Sequence, residues 1–324
     1  MQKITIPRPI GLFNISREER DLKRDFTKLL DISKDGGTYL LERAAFLKKL
    51  RISGKEHKPL KNKNLAMIFE KASTRTRVSF EVGMRDLGGH PIYLSAGETQ
   101  IGRGEPIKDT ARVLSRYTDA IMIRTYSQNN VDELARWASV PVINGLSDLY
   151  HPCQILADLF TILEIKGTIA NVKISYVGDG NNVANSWIEA AILFGLNLSM
   201  ATPKGYKPDQ ALLKKAEKSN SFFLTNDPAE AVKGADVVNT DVWASMGQES
   251  EKEERKKAFD GYRIDKKLLK HAKKDVIVLH CLPAYRNEEI SEDIFEQFSE
   301  TIFTQAENRL HIQKALLEWL IAKP

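Results

Sequence analysis

Short apolar runs alternate with segments of helical periodicity along most of this chain. "NLAMIF" (64–69) has the length of a buried strand, and a helical pattern follows it from about Thr74 to Leu87, ended by Gly88-Gly89. "PIYLS" reads as the next strand, "IKDTARVLSRY" as a helix, "AIMIRT" as a strand, "VDELARWAS" as a helix and "PVINGL" as a strand. Brief apolar runs separated by amphipathic helices predict a parallel sheet covered on both faces.

A second series follows the long helical segment "QILADLFTILEIKG". It runs "VKISYVG", the helix "VANSWIEAAILFG", "LSMAT", a Lys-rich helix, "FFLTN", a short helix from Asp227, and "DVVNTDVW". After a charged segment come "VIVLH" and "TIFTQ", both read as strands, and then a last helix, "ENRLHIQKALLEWLIA". That helix carries Leu310, Leu317, Leu320 and Ile321 on one stripe, which must pack on something. The predicted fold class is α/β, with two doubly wound domains, each a parallel sheet flanked by helices. The expected division is residues 1–150 and 151–306, with the helix over about 307–324 packing back on the first domain. Ligands in such sheets bind outside the carboxyl ends of the strands, where the polar clusters of this chain fall.

A length of 324 residues fits two domains, and 42% hydrophobic with 28% charged residues is ordinary for a soluble globular protein. The net charge of +5 is spread over interspersed basic and acidic residues, with no concentrated basic module for nucleic acid. No apolar run approaches the ~20 residues of a membrane span. The first twenty residues lack the apolar core of a signal peptide and carry early acidic residues. Two cysteines, Cys153 and Cys281, make no disulfide framework, so a cytoplasmic location is expected.

Five polar clusters could carry chemistry. In "FEKASTRTR", Ser73, Thr74, Arg75, Thr76 and Arg77 crowd a strand-to-helix turn. One N-cap residue would satisfy a helix start. Here free N–H groups at Thr74, Arg75 and Thr76, hydroxyls, and a guanidinium able to fork onto two oxygens together suit a phosphate. Arg77 can instead pair with Glu81, one turn on. In "SDLYHPCQ", His151 precedes a Pro that pre-sets the next helix, and it can polarise a carbonyl or serve as a buried structural residue. In "VLHCLPAYR", Cys281 can be a nucleophile, a packing residue or a polar contact. Zinc on His151, Cys153, His280 and Cys281 is disfavoured, because adjacent residues on an extended segment point opposite ways and no pair has a usual zinc spacing.

The Gly-x-Gly of "VGDGNNVANSW" lacks the rest of a dinucleotide fingerprint, and "LSMATPKG" supplies no acid for a ribose. Asn181 and Asn182 instead offer amides suited to an amino-acid backbone. In "TDVWASMGQE", Asp241 ends a strand and could bind an ammonium, while "SMGQESEKEERKK" reads as a solvated charged helix, a lid, or both.

"FEKASTRTR", "HPCQ", "DVWASMGQE" and "HCLP" in this order resemble the aspartate/ornithine carbamoyltransferase family, and "SMG" with "HCLP" resembles its ornithine-specific branch. The resemblance runs from about residue 7 to 321. It implies transfer of a carbamoyl group from carbamoyl phosphate to the δ-amine of L-ornithine, giving L-citrulline and phosphate, within arginine metabolism. It implies no cofactor and no metal, and direct attack by a neutral δ-amine needs no covalent enzyme intermediate, so Cys281 would orient the amine. It also implies a homotrimer, or a multiple of trimers, with sites between subunits. The first domain would bind carbamoyl phosphate and the second ornithine.

By motif, carbamoyl phosphate would lie on Ser73, Thr74, Arg75, Thr76, Arg124, His151, Gln154, Cys281, Leu282 and Arg309, with Gln100 reaching in from a neighbouring subunit. Asn182, Asp241, Ser245 and Met246 would hold ornithine. Arg75, His151, Asp241 and Cys281 would be the catalytic set. Putrescine as acceptor would leave the Asn182 and Met246 contacts without a carboxylate, and an acylated ornithine would crowd Asp241. A binding protein without activity would be expected to have lost Arg75, His151 or Cys281, and all are present.

Overall fold

Residues 23–219, 221–244 and 251–322 are described by a computed structural model of the chain. The first half builds β1 (Asn64–Phe69), β2 (His90–Ser95), β3 (Ala120–Arg124) and β4 (Val142–Leu146) into one sheet of order β2-β1-β3-β4. Helix α1 (Lys34–Ile52) precedes the sheet, and α2 (Thr74–Asp86), α3 (Ile107–Tyr117) and α4 (Gln128–Trp137) follow its first three strands in turn. Helix α5 (Pro152–Lys166) then leads into β5 (Lys173–Val177), β6 (Asn197–Ala201), β7 (Phe222–Thr225), β8 (Val237–Thr240) and β9 (Ile277–His280), ordered β7-β6-β5-β8-β9. Between and after these strands lie α6 (Asn182–Phe194), α7 (Gln210–Ala216), α8 (Pro228–Val232), α9 (Lys252–Ala258), α10 (Lys266–Leu269), α11 (Glu292–Gln297) and α12 (Ser299–Ile321). Every strand pairing is parallel.

The alternation of side chains along each strand divides the core into three parts. Leu65, Met67 and Phe69 of β1, with Ala120 and Met122 of β3, face inward, and Ala66, Ile68, Ile121 and Ile123 face a separate outer cluster under α3 and α4. In the second sheet Ile174, Tyr176, Val237, Ile277 and Leu279 face inward, while Val177, Val238 and Val278 join the other outer cluster. The two inner faces share one continuous core through α5, α6 and α12. Each fully buried Leu, Met or Phe in it contributes roughly 1.5–3 kcal/mol.

The predicted "TIFTQ" strand is absent. Thr301–Gln305 form the first turns of α12, which begins at Ser299 rather than near residue 307. The β-branched residues there favour a strand locally, but Ile302 and Gln305 are buried one helical turn apart, and tertiary packing decides. Helix α12 packs on α5, α1 and α2. Its predicted stripe is only part of its buried surface: Leu317 and Ile321 are buried, Leu310 and Leu320 half-buried, and Asn308, Arg309, His311, Gln313 and Lys314 are buried polar residues. The strand predicted through Trp243 ends at Thr240, so Asp241 lies just beyond it. The N-terminal segment read above for a signal peptide lies outside the described residues, as do Ser245 and Met246.

Candidate active site

Each sheet has one point where successive connections leave in opposite directions, and a ligand crevice forms there. In the first sheet that point lies between β1 and β3, where Phe69 pairs with Arg124. The turn after Phe69 leads through Ser73 into α2. Ser73 is extended (φ −162°, ψ 111°), and its Oγ accepts the Thr76 N–H at 3.2 Å, so the chain has a Ser N-cap. The cap therefore uses one of the three N–H groups expected to be free, that of Thr76. The Thr76 side chain is fully buried. Its hydroxyl oxygen accepts from Ser73 Oγ at 3.1 Å and Arg309 Nη2 at 3.1 Å, with Arg124 Nη1 at 3.5 Å. Thr74 is exposed and Arg75 half-buried. Arg77 turns away and donates to Glu81 at 2.9 Å, as its spacing predicts.

His151 is the N-cap of α5, with Pro152 at the first helical position. Its backbone N–H donates to Ser186 Oγ at 2.8 Å, which fixes it against α6. Arg309 from α12 donates to Gln154 Oε1 at 3.0 Å and lies 3.4 Å from His151 Nε2. An arginine can only donate, so Nε2 faces a donor and the imidazole proton belongs on Nδ1. Burial, then the charges of Arg309, Arg124 and Arg75, hold the His151 pKa well below its ordinary value, so the ring is neutral at neutral pH. Burial, followed by Arg309 and Arg75, pushes Arg124 down to about 10. Among the described residues, none of these three arginines pairs with a carboxylate, and His151 Nδ1, Arg124 Nε and Arg309 Nε have no protein partner. Buried donors of this kind, ringed by positive charge, suit an anion.

In the second sheet the corresponding point lies between β5 and β8. Thr240 pairs with His280 across β8 and β9, so the next residues, Asp241 and Cys281, leave the sheet side by side. Cys281 Sγ donates to Asp241 Oδ1 at 3.0 Å, and Asn181 Nδ2 donates to Asp241 Oδ2 at 2.7 Å. Burial, then the Asp241 charge, raises the Cys281 thiol well above its ordinary value. It is therefore a thiol rather than a thiolate, and a poor nucleophile. Leu282 has a left-handed backbone (φ +60°), an uncommon conformation for a bulky residue. Its N–H donates to His280 Nδ1 at 2.9 Å, and His280 Nε2 lies 2.9 Å from Glu289 Oε1, both side chains fully buried. The Leu282 carbonyl turned out by this conformation accepts from Arg75 Nη2 at 2.7 Å.

Thr76, Arg124, His151, Gln154 and Arg309 thus form one hydrogen-bonded group, Asp241 and Cys281 a second, and the Arg75–Leu282 bond joins the two halves. Asn182 is near but donates to the Ser147 carbonyl at 2.7 Å. Gln100 is exposed on a loop, and its side chain makes no hydrogen bond to these groups within the described residues. Asn181, read above as a ligand for an amino-acid backbone, caps α6 through Val183 and Ala184 and braces Asp241. The Gly-x-Gly there answers to packing: a Cβ on Gly180 would lie 2.3 Å from the Lys207–Pro208 backbone. Among the described residues no cluster of three or more His, Cys, Asp or Glu side chains is arranged for a metal ion.

Two features escaped the sequence reading. Arg255, in the charged run read as solvated, is buried and donates to Asp179 Oδ2 at 2.9 Å and to the Trp243 carbonyl at 3.0 Å. Asp158 on α5 is fully buried and accepts from Gln154 and Gln305. An acid four residues after a glutamine, inside the apolar stretch "ILADLF", was the available signal.

Comparison with known proteins matches the chain in two successive segments. Residues 24–164 match the model for the "aspartate/ornithine carbamoyltransferase, carbamoyl-P binding domain", and residues 170–320 match that for the "Asp/Orn binding domain". The chain is 53% identical over 302 residues to the ornithine carbamoyltransferase of Syntrophotalea carbinolica, covering 93% of this chain and 100% of that one. It is 55% identical to that of Pelobacter propionicus, covering 93% and 99%. The solved structure of the Pyrococcus furiosus ornithine carbamoyltransferase superposes with a TM-score of 0.87 at 53% identity, covering 92% of this chain and 97% of that one. With both domain models and near-full-length relatives in agreement, the chain belongs to the aspartate/ornithine carbamoyltransferase family.

Proposed function

We propose that the protein transfers the carbamoyl group of carbamoyl phosphate to the δ-amine of L-ornithine, giving L-citrulline and phosphate by direct attack through a tetrahedral intermediate. The observation that carries this reading is the Arg75–Leu282 bond of 2.7 Å, which sets a cationic group on one side of a crevice against the Asp241–Cys281 pair on the other. In this reading residues 1–150, with the helix from about residue 307, form the carbamoyl phosphate domain, and residues 151–306 form the ornithine domain.

The phosphate dianion is held by Ser73, Thr74, Arg75, Thr76 and Arg124, at the positive end of α2. His151, neutral and protonated on Nδ1, donates to the carbamoyl oxygen. Gln154 and Arg309 complete that end, and the Leu282 carbonyl accepts from the carbamoyl NH₂. Asp241, Asn182 and the segment containing Ser245 and Met246 hold the α-amino and α-carboxylate groups of ornithine, and the Cys281 thiol orients the δ-amine. As the amine attacks, charge builds on the carbamoyl oxygen. Arg75, Thr76 and His151 stabilise it, by about 3 to 4 kcal/mol for each well-placed donor. Phosphate leaves into the same set of guanidiniums. No step requires a cofactor or a covalent intermediate.

Gln100 would complete the site of a neighbouring subunit in a homotrimer, which fits its exposed position on a loop. Cys153 and Cys281 are both free thiols, as suits the cytoplasm, and among the described residues no helix is long and apolar enough to cross a membrane. The test is citrulline formation from carbamoyl phosphate and ornithine with phosphate released in equal amount. Stoichiometric formation supports the reading. Phosphate release without citrulline, or binding of carbamoyl phosphate without turnover beside ornithine, overturns it.

A further inference from the structure

Asp158 touches neither face of the crevice, yet it is tied to both. The side chain is fully buried on α5. A single oxygen, Oδ1, accepts from Gln154 Nε2 at 2.8 Å and from Gln305 Nε2 at 2.7 Å, while Oδ2 has no partner among the described residues. Both glutamines are themselves fully buried. A carboxamide presents an oxygen on one side and an NH₂ on the other, so holding the nitrogen fixes where the oxygen points. Gln154 Oε1 consequently faces Arg309 Nη1 at 3.0 Å, and Gln305 Oε1 faces the backbone N–H of His280 at 2.9 Å. His280 is the last residue of β9, immediately before Cys281.

We propose that Asp158 is a positioning residue, which sets the orientation of Gln154 and Gln305 together and so registers Arg309 against the strand end that carries Cys281 and Leu282. The inference rests on the reaction proposed above. Without an acceptor at Oδ1 both carboxamides are free to turn. Gln154 would then present NH₂ to a guanidinium that can only donate, and Gln305 would present NH₂ to a backbone N–H. Arg309 and the Cys281 turn would each lose a fixed neighbour at once. The role requires an acceptor oxygen, and it does not require a charge. Burial pushes the Asp158 carboxyl up to about 7, and a proton on the unpartnered Oδ2 leaves Oδ1 free to accept in either state.

Asp158→Asn and Asp158→Leu separate these possibilities. Asparagine can keep its oxygen toward the two glutamines and place its NH₂ where Oδ2 lies, whereas leucine has similar bulk and no acceptor. Steady-state kinetics with both substrates varied, alongside thermal unfolding, is the experiment. We expect Asp158→Asn to keep kcat and both KM values within about threefold of wild type. We expect Asp158→Leu to lower kcat and raise the KM for carbamoyl phosphate by roughly 10- to 100-fold, through misplacement alone. A folded leucine variant with wild-type constants overturns the proposal, because a merely structural role would lower only the unfolding temperature. An asparagine variant as impaired as the leucine variant also overturns it, since charge would then be the requirement. Should the leucine variant not fold, Gln305→Leu keeps the Asp158–Gln154 bond and releases only His280. We expect it to lower kcat roughly 10-fold with little change in the KM for carbamoyl phosphate, and an unchanged kcat contradicts the proposal. Wild-type citrulline formation in the same assay reports on the reaction itself, so failure of that reading is seen separately.

Discussion

The guanidinium of Arg75, at the first turn of α2, donates to the carbonyl of Leu282, in the turn after β9, across 2.7 Å. These residues are more than two hundred positions apart in the chain, and their contact brings the carboxyl ends of the two sheets onto one crevice. Arg75 is half-buried, and among the described residues its side chain bonds to a backbone carbonyl rather than to an acid. Its removal therefore takes charge out of the crevice without emptying the core. Arg75→Ala is expected to lower kcat by about 10²- to 10³-fold, the usual cost of one transition-state donor, with little change in the unfolding temperature. A folded variant with near-normal kcat would refute the assignment of Arg75 to the phosphate and carbonyl end.

Asp241 is held by Asn181 and Cys281 in a position to receive an ammonium. Asp241→Asn removes the charge and keeps the shape. The KM for ornithine is expected to rise by about 10- to 100-fold, the range for a hydrogen bond to a charged group, and the KM for carbamoyl phosphate to change much less. Equal effects on the two constants would make Asp241 a structural residue.

The pH dependence follows from which groups are already in their working state. His151 is neutral because burial and three arginines hold its pKa well below its ordinary value, so it is already in its working state at neutral pH. The Cys281 thiol stays protonated well above its ordinary value. The group still to lose a proton is the ornithine δ-ammonium, with a pKa near that of Lys, about 10.4. kcat/KM for ornithine is therefore expected to rise through the range from about pH 6 to about pH 9, and a flat profile would show that amine deprotonation does not limit the step.

Stability should carry a separate pH signature from Glu189. This residue on α6 is buried; its Oε2 accepts the Leu29 N–H at 2.9 Å, and its Oε1 has no partner among the described residues. Burial raises its pKa from 4.5 to about 7. A carboxyl raised on folding binds its proton more tightly in the native state, so stability is lost as pH rises from the unfolded value through the folded one. The loss is about 3 kcal/mol, complete above about pH 7. Glu189→Gln should abolish this slope. Urea unfolding of both proteins at about pH 5 and about pH 8 should give a difference between them that changes with pH, and a constant difference would place the titration elsewhere.

Much of the fold was legible in the sequence, because a parallel sheet buried on both faces leaves unbroken apolar runs. "NLAMIF" is β1 over the same six residues, and "IKDTARVLSRY" is α3 over the same eleven. "TIFTQ" was misread because β-branched residues carry a strand signal that long-range packing overrides, as it does along α12. At the candidate site, the turn into α2, His151 and the residues after β8 and β9 stood out because polar residues cluster where strands end. Asp158 and Gln305 did not: Asp158 lies inside a helical pattern, Gln305 ends the run misread as a strand, and their pairing is fixed only by the packing of α5 on α12. Arg255 was hidden for the opposite reason: a run such as "EKEERKK" looks solvated, and nothing local marks the one residue that turns inward onto Asp179.

The central claim is that one crevice pairs a carbamoyl phosphate end with a free ornithine end. It is tested most directly by measuring carbamoyl transfer with ornithine, putrescine, N-acetylornithine and aspartate offered separately as acceptors at equal concentration. Strong turnover with ornithine and little with the other three is the expected result. Preferential turnover with any of the others would contradict the assignment of Asp241, Asn182 and the segment beyond Trp243 to the ornithine α-amino and α-carboxylate groups, and no turnover with any acceptor would contradict the reaction itself.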